Sequence, residues 1–289
     1  MKVVHVETGR HFYGGAQQVV WLVAGLAKEG IDGVLVCLPD SDIDKVARGN
    51  GIRVININCA GDHDLGFAWR LRRVLVAEAP DIVHCHSRRG ADFSGGLAAS
   101  LAGIPAVVSR RVDSEDSPFL ARLRYRPFRR IIAISEHIAA VLQKNTNDAK
   151  RIEVIRSAVD VESMCMEPDC ESFRDEFEID DGDFTIAVIA QLIDRKGHRF
   201  LFDVVPNLRD LYPHLRIVIF GTGSSERKLK ALANQLNLGG TVQFAGFRHD
   251  LDDYLACFDL LVHPATEEGL GVAMLKAAAA GVPVVAFNV

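Results

Sequence analysis

No run in the 289 residues approaches the roughly 20 apolar positions that a helix needs to cross a bilayer, so no transmembrane anchor is expected. The opening stretch Met1-Lys2-Val3-Val4-His5-Val6 meets Glu7 and turn residues at once, which is too short for the apolar segment of a secretory signal and reads as a strand. The six cysteines, Cys37, Cys59, Cys85, Cys165, Cys170 and Cys257, lack the paired spacing of a metal site. Reduced thiols in a cytoplasmic protein are expected, with a Cys165–Cys170 link as the alternative. A G-x-G-x-x-G fingerprint is also missing, since Gly14-Gly15 does not match it, and no dinucleotide cofactor is expected. Nor is the composition that of a disordered chain: 48% of residues are hydrophobic and strand-like and helix-like patterns alternate, which indicates a globular α/β protein of two modest domains.

The net charge of −5 hides an asymmetry. Residues 1–150 hold 20 Lys and Arg against 16 Asp and Glu, whereas residues 151–289 hold 13 against 22. The positive part is concentrated in Arg110, Arg111, Arg122, Arg124, Arg126, Arg129 and Arg130. Two readings stay open, a solvated face and a site for an anionic lipid surface or phosphorylated acceptor. Nucleic acid is not an expected partner.

In order, strand 2–6 leads through Gly14-Gly15-Ala16 to a helix over 17–28 and a strand over 33–38, a βαβ unit. Strand 81–85 ends at His86-Ser87-Arg88-Arg89-Gly90, and strand 106–109 opens into Arg110-Arg111-Val112-Asp113, so His86, Arg88, Arg111 and Asp113 belong to one rim with Gly14 and Gly15. Ser135 is a candidate cap for a helix over 136–143. Residues 161–182 are acidic and broken by Pro168 and Gly182, and read as a linker between domains 1–160 and 183–289.

The second domain repeats the pattern. Strand 184–190 is followed by Gln191 to His198 with Lys196, strand 216–220 by Gly221-Thr222-Gly223, and strand 241–244 ends at Gly246. Its last stretch is His263-Pro264-Ala265-Thr266-Glu267-Glu268-Gly269-Leu270-Gly271, which follows a strand over 258–262 and precedes a buried helix over 272–280. Gly269 and Gly271 free the backbone around Leu270 to lie close to a ligand, and the amides at the helix start suit phosphate. A carboxylate beside them suits sugar hydroxyls. Lys276 lies about one turn into the helix, within reach of the same ligand. An ordinary α/β crossover with a snorkelling lysine accounts for these residues equally well.

Taken together, Gly14-Gly15-Ala16, Pro80-Asp81-Ile82-Val83-His84-Cys85-His86-Ser87, Ile134-Ser135-Glu136, Leu192 to Gly197, Gly221-Thr222-Gly223 and Glu268-Gly269-Leu270-Gly271 through Gly281-Val282-Pro283-Val284-Val285 occur in an order that resembles the family 4 retaining glycosyltransferases. The resemblance covers essentially the whole chain. It implies an α/β GT-B fold, two Rossmann-like doubly wound domains facing a cleft. It further implies transfer of a sugar, with retention and without a metal, from a UDP-type or GDP-type nucleotide sugar to a glycan or lipid-linked acceptor. Cell-envelope polysaccharide or lipopolysaccharide assembly is the setting it suggests, with peripheral contact to an anionic membrane. Glu268 would hold the donor sugar and Lys196 the diphosphate, with Arg111 beside them. Gly14, Gly15, Gln191, Gly221, Gly223, Gly246, Gly269, Leu270, Gly271 and Lys276 would line the donor site, and His86, Arg88 and Asp113 the acceptor side. Three positions depart from the family pattern: Lys276 replaces a ribose-binding glutamate, Gln191 replaces an arginine, and Arg110-Arg111 replaces a histidine. Lys276 is a candidate to supply the missing diphosphate charge. Members usually continue past the position of Val289, so the C-terminal domain is expected to be incomplete. A non-transferring binder of nucleotide sugars and a nucleotide-sugar 2-epimerase are the rival expectations.

Overall fold

Strand and helix alternate from Lys2 to Ala286 in the computed structural model, which describes residues 1–62, 64–86, 90–112, 117–164 and 168–289. The chain divides into two units, Met1–Ser157 and Ala158–Val289. In the first unit the strands are β1 (Lys2–Val6), β2 (Asp32–Cys37), β3 (Arg53–Asn56), β4 (Ile82–Cys85), β5 (Ala106–Arg110), β6 (Arg130–Ala133) and β7 (Ile152–Val154). They are joined by α1 (Gly14–Lys28), α2 (Asp42–Gly49), α3 (Leu65–Glu78), α4 (Phe93–Ala102), α5 (Pro118–Tyr125) and α6 (Glu136–Thr146). All pairings are parallel, in the order β3-β2-β1-β4-β5-β6-β7. The central strands are apolar nearly throughout because helices cover both sheet faces. On one face Val19, Val20 and Val23 of α1 meet Leu35 and Cys37 of β2 and Ile43 and Ala47 of α2. Ser135 caps α6 as expected, accepting from Ile138 N. Gly14 and Gly15 are not in the loop before α1 but form its first two residues, so their amides are helix-end donors.

The second unit comprises α7 (Val161–Met164), α8 (Cys170–Phe177), β8 (Phe184–Ile189), α9 (His198–Leu211), β9 (Leu215–Phe220), α10 (Glu226–Gln235), β10 (Val242–Gly246), α11 (Leu251–Tyr254), β11 (Leu260–His263), α12 (Val272–Ala279) and β12 (Val284–Ala286). Its sheet is again parallel, β10-β9-β8-β11-β12. Alternate residues separate two cores, Ile186, Val188, Ile217 and Ile219 against α9 and α10, and Ala187, Val218 and Phe220 against α8 and α12. The strand expected to begin at residue 258 begins at Leu260, since the Asp259 carboxylate is engaged by Thr185 N (2.7 Å) and Thr185 Oγ1 (2.8 Å).

Three expectations are corrected. Residues 161–182 are not a free linker: Phe173 and Phe177 of α8 and Ile179 are buried in the second core, beside Phe220 and Phe258, so the boundary falls at Ser157/Ala158. Cys170 is bonded to Cys257, with Cα atoms 5.4 Å apart, rather than reduced or linked to Cys165, which lies outside the described residues. Cys37, Cys59 and Cys85 are thiols rather than disulfide partners. Finally, α12 is only half-buried, with Ala277 as its one fully buried residue, and β12 at the sheet edge exposes Val285.

Because Phe173 is 1% exposed and packs among aromatic rings, Phe173→Ala should lower stability by about 3–5 kcal/mol in urea unfolding, whereas a solvated linker would register almost no change.

Candidate active site

In a doubly wound sheet, ligands bind beyond the carboxyl ends of the strands where the strand order reverses. In the second unit that point lies between β8 and β11, which pair directly. Two loops leave the sheet there side by side, and they are tied together. Thr266 N donates to Arg195 O (2.9 Å), and the Arg195 guanidinium donates to Glu267 O (3.4 Å). Gly197, at φ +70°, makes this approach possible, because a Cβ there would overlap the Pro264 carbonyl oxygen.

At the junction Lys196 Nζ donates to Glu268 Oε2 at 2.5 Å, and His263 Nε2 lies 2.8 Å from the same oxygen. The Gly269 amide donates to Oε1 (3.1 Å). Burial pushes the Glu268 carboxyl up, but the hydrogen bond with His263 and the Lys196 charge outweigh it and hold the group at about 2. Glu268 is therefore an ionised acceptor at neutral pH. His198, the first residue of α9, is buried alongside. Burial pushes its pKa down to about 4, helped by His263 and Lys196. Neither of its ring nitrogens has a partner among the described residues, nor has His263 Nδ1. Sequence reasoning missed His198 and His263 as members of this group. A histidine five residues before Glu268, at the end of a strand, was the available signal.

Gly271, at φ +78°, forms the N-cap of α12 without a capping side chain; Met274 N and Leu275 N turn back to its carbonyl (3.0 and 3.3 Å), which leaves the amides of Val272 and Ala273 as the helix-end donors on the Glu268 side. Leu270 lies half-buried between them. The adjoining strand exits are laced into the same edge: Leu192 N donates to Thr222 O (3.0 Å), Ser225 N to Leu192 O (2.8 Å) and Gly221 N to Gly246 O (2.7 Å). A Cβ at Gly221 would overlap Ala190 O, and one at Gly223 would overlap Leu192 O. The structure thus brings Gln191, Lys196, Gly221, Gly223, Gly246 and Glu268 to Gly271 to one end of one sheet. Lys276 differs from its expected role as a spare cation. Its ammonium is held by both carboxylate oxygens of Asp252 in α11, at 2.8 and 2.7 Å, so its charge is matched within the protein.

In the first unit the order reverses between β1 and β4. There Arg111 Cδ lies 3.5 Å from the position a Gly15 Cβ would take, which puts Arg111 against the start of α1 as expected. His86, expected on the acceptor side, is 2% exposed, and its Nε2 is 3.0 Å from His5 Nδ1. Arg88 and Asp113 lie outside the described residues. The β1–β4 register sets His5 opposite His84, with His86 two residues on along the same face, and His84 Nε2 is 2.8 Å from Ser109 Oγ. These three imidazoles could reach one ion, since their nitrogens lie within 4.8 Å of one another. Burial, then the neighbouring imidazoles, then the Arg111 charge hold His84 and His86 well below the usual range, and the same Arg111 charge opposes a cation there. A neutral hydrogen-bonded group is the better description.

Residues 169–289 match the family described as glycosyl transferases group 1, and residues 13–158 match the glycosyl transferase 4-like domain. An Escherichia coli UDP-Gal:alpha-D-GlcNAc-diphosphoundecaprenol alpha-1,3-galactosyltransferase is 24% identical over all of this chain and 80% of its own length. The lipopolysaccharide core biosynthesis glycosyltransferase LpsE of Rhizobium meliloti (strain 1021) is likewise 24% identical, over 99% of this chain and 78% of its own. Among solved structures, Anabaena Alr3699/HepE in complex with UDP-glucose has a TM-score of 0.85 at 19% identity, covering 99% of this chain and 80% of that one. Likeness at this identity shows the fold, which is GT-B.

Burial holds His5 at about 4 in the folded state, well below an unfolded histidine. The unfolded chain therefore binds more protons between about pH 6.5 and 4, and stability must fall as the pH drops through that range. Urea unfolding at pH 7.5 and pH 5 should differ by at least about 2 kcal/mol from His5 alone, and His5→Asn should shrink the difference. Equal stability at the two pH values would contradict a buried neutral cluster.

Proposed function

The chain belongs to the glycosyl transferases group 1 family, and from that premise we propose that it moves a sugar, with retention and without a metal, from a uridine or guanosine diphosphate sugar to a glycan or lipid-linked acceptor of a cell-envelope polysaccharide. The observation that carries this reading is the meeting of a cation, a carboxylate and free helix-start amides where β8 and β11 leave the sheet.

On binding, Lys196 would exchange its partner, turning from Glu268 to the diphosphate, and Glu268 would accept from hydroxyls of the donor sugar. The amides of Val272 and Ala273 at the start of α12 would donate to the diphosphate oxygens. As the glycosidic bond to the diphosphate breaks, negative charge grows on the leaving oxygen, where the ammonium and the positive end of α12 already stand. The departing diphosphate takes the acceptor hydroxyl proton as the new bond forms. The Lys276–Asp252 pair keeps Lys276 from adding a second free charge, so Lys196 carries the larger share. UDP is the first candidate carrier because the Anabaena neighbour binds UDP-glucose, and the relatives named for lipopolysaccharide core and diphosphoundecaprenol substrates support an envelope acceptor.

Calorimetric titration with UDP, GDP and ADP should show one preferred diphosphate, and Lys196→Ala should weaken it by more than about tenfold while leaving uridine binding unchanged. Glu268→Gln should retain UDP binding and lose transfer from the UDP-sugar by a factor on the order of a hundred or more. A folded protein that binds none of the three nucleotides would remove the donor-site assignment, and binding without turnover toward any envelope acceptor would favour a non-transferring binder.

A further inference from the structure

His263 closes β11, and the sheet holds it more firmly than either of its charged neighbours. Leu260 and Leu261 pair with Ile186 and Ala187 of β8, Leu261 to His263 pair with Val284 to Ala286 of β12, and Phe287 N donates to the His263 carbonyl (3.4 Å). The alternation of a strand puts the His263 side chain on the same face as Leu261, the face covered by α8 and α12. Lys196, by contrast, reaches the site on a flexible four-carbon stem, and Glu268 stands in the loop between β11 and α12.

Glu268 is ionised and can only accept, so the proton in its 2.8 Å contact lies on His263 Nε2. The opposite nitrogen, Nδ1, is buried without a partner among the described residues, as are both nitrogens of the neighbouring His198. An unpaired buried nitrogen is destabilising, and an apolar side chain of similar shape would avoid that penalty. Packing therefore does not account for an imidazole at this position. What His263 keeps in return is one hydrogen bond, to the carboxylate of the site. With 4% of its side chain exposed it stays out of a ligand's reach, whereas Glu268 at 17% does not.

When Lys196 turns to the diphosphate, Glu268 loses its charged partner. One donor remains on each oxygen, His263 on Oε2 and the Gly269 amide on Oε1. Gly269 is the next residue of the same loop and moves with Glu268, so of these donors His263 is the one anchored in the sheet. We propose that His263 is a positioning residue for the donor sugar, its Nε2–H tying Glu268 to β11 and keeping the carboxylate aimed at the sugar hydroxyls after Lys196 has left it. The role rests on the donor-site reading and divides its labour: Lys196 answers the diphosphate, Glu268 the sugar, and His263 holds Glu268 from beneath. A carboxylate freed of both side-chain partners turns toward water. The sugar then loses its acceptor while the diphosphate keeps its cation, so the effect of losing His263 is confined to the sugar part of the donor.

Calorimetric titration of UDP and of UDP-glucose into the wild-type chain, Glu268→Ala, His263→Leu and His263→Gln tests this. His263→Leu should weaken UDP-glucose by about tenfold or more and UDP by less than about twofold, because a hydrogen bond to a charged group is lost only from the sugar site. The glutamine amide can place a donor near the position of Nε2, so His263→Gln should restore UDP-glucose affinity to within about threefold of wild type. Should the leucine variant fail to fold, His263→Asn, polar but one methylene shorter than glutamine, takes its place. Equal losses for UDP and UDP-glucose, no loss for either, or a folded glutamine variant as weak as leucine would each overturn the proposal. Glu268→Ala separates the two readings. A loss of UDP-glucose affinity with Glu268→Ala but not with His263→Leu removes His263 alone, whereas a Glu268→Ala chain that still binds UDP-glucose like wild type removes the sugar site itself.

Discussion

An ion pair between Lys196 and Glu268 is the contact on which the second unit's working edge depends, because it closes the space between two loops that the sheet order forces together. With β8 and β11 adjacent and parallel, their exits emerge side by side, and any charged group on one must be answered from the other. Glu268 is answered three times, by Lys196, by His263 and by the amide of Gly269. The carboxylate is thus held in one orientation before any ligand arrives. Both side chains keep a small exposed fraction, 12% for Lys196 and 17% for Glu268, so a ligand can reach them. Preorganisation of this kind places charges before the reaction creates their partners.

The two units share a strand pattern but differ at the point where the order reverses. In the second, a matched pair of charges stands at that point. In the first, three neutral imidazoles stand beneath Arg111 and Glu7, with two of their nitrogens, His5 Nε2 and His86 Nδ1, lacking partners. Arg111 Nε is also without a partner, and burial depresses the basicity of this group while Glu7 supports it. The first unit therefore holds a polar cluster of low net charge at its rim.

Much of this is legible in the sequence. Strands such as Thr185 to Ile189 and Arg216 to Phe220 are apolar at nearly every position, which only a sheet covered on both faces tolerates, and glycines mark the strand exits. Gly197 and Gly221 each fill a place where a side chain would strike a neighbouring loop, and Gly271 one where it would meet the Met274 side chain, so the loops that hold Lys196 and Glu268 could be located from residue type alone. What stayed hidden depended on partners far apart in sequence. Asp252 and Lys276 are 24 positions apart, Cys170 and Cys257 are 87, and His5 and His86 are 81, and no local pattern links them. The acidic segment 161–182 misled for the same reason: its charge suggested a linker, while two phenylalanines at i and i+4, Phe173 and Phe177, anchored it in the core.

The central claim is that Lys196 and Glu268 exchange each other for a donor. A crystal structure of this chain with UDP-glucose measures it directly. The account predicts Lys196 Nζ within hydrogen-bond distance of a diphosphate oxygen, a glucose hydroxyl on the Glu268 carboxylate, and the amides after Glu268 facing the ligand. A nucleotide bound elsewhere, with the Lys196–Glu268 pair intact, would contradict it.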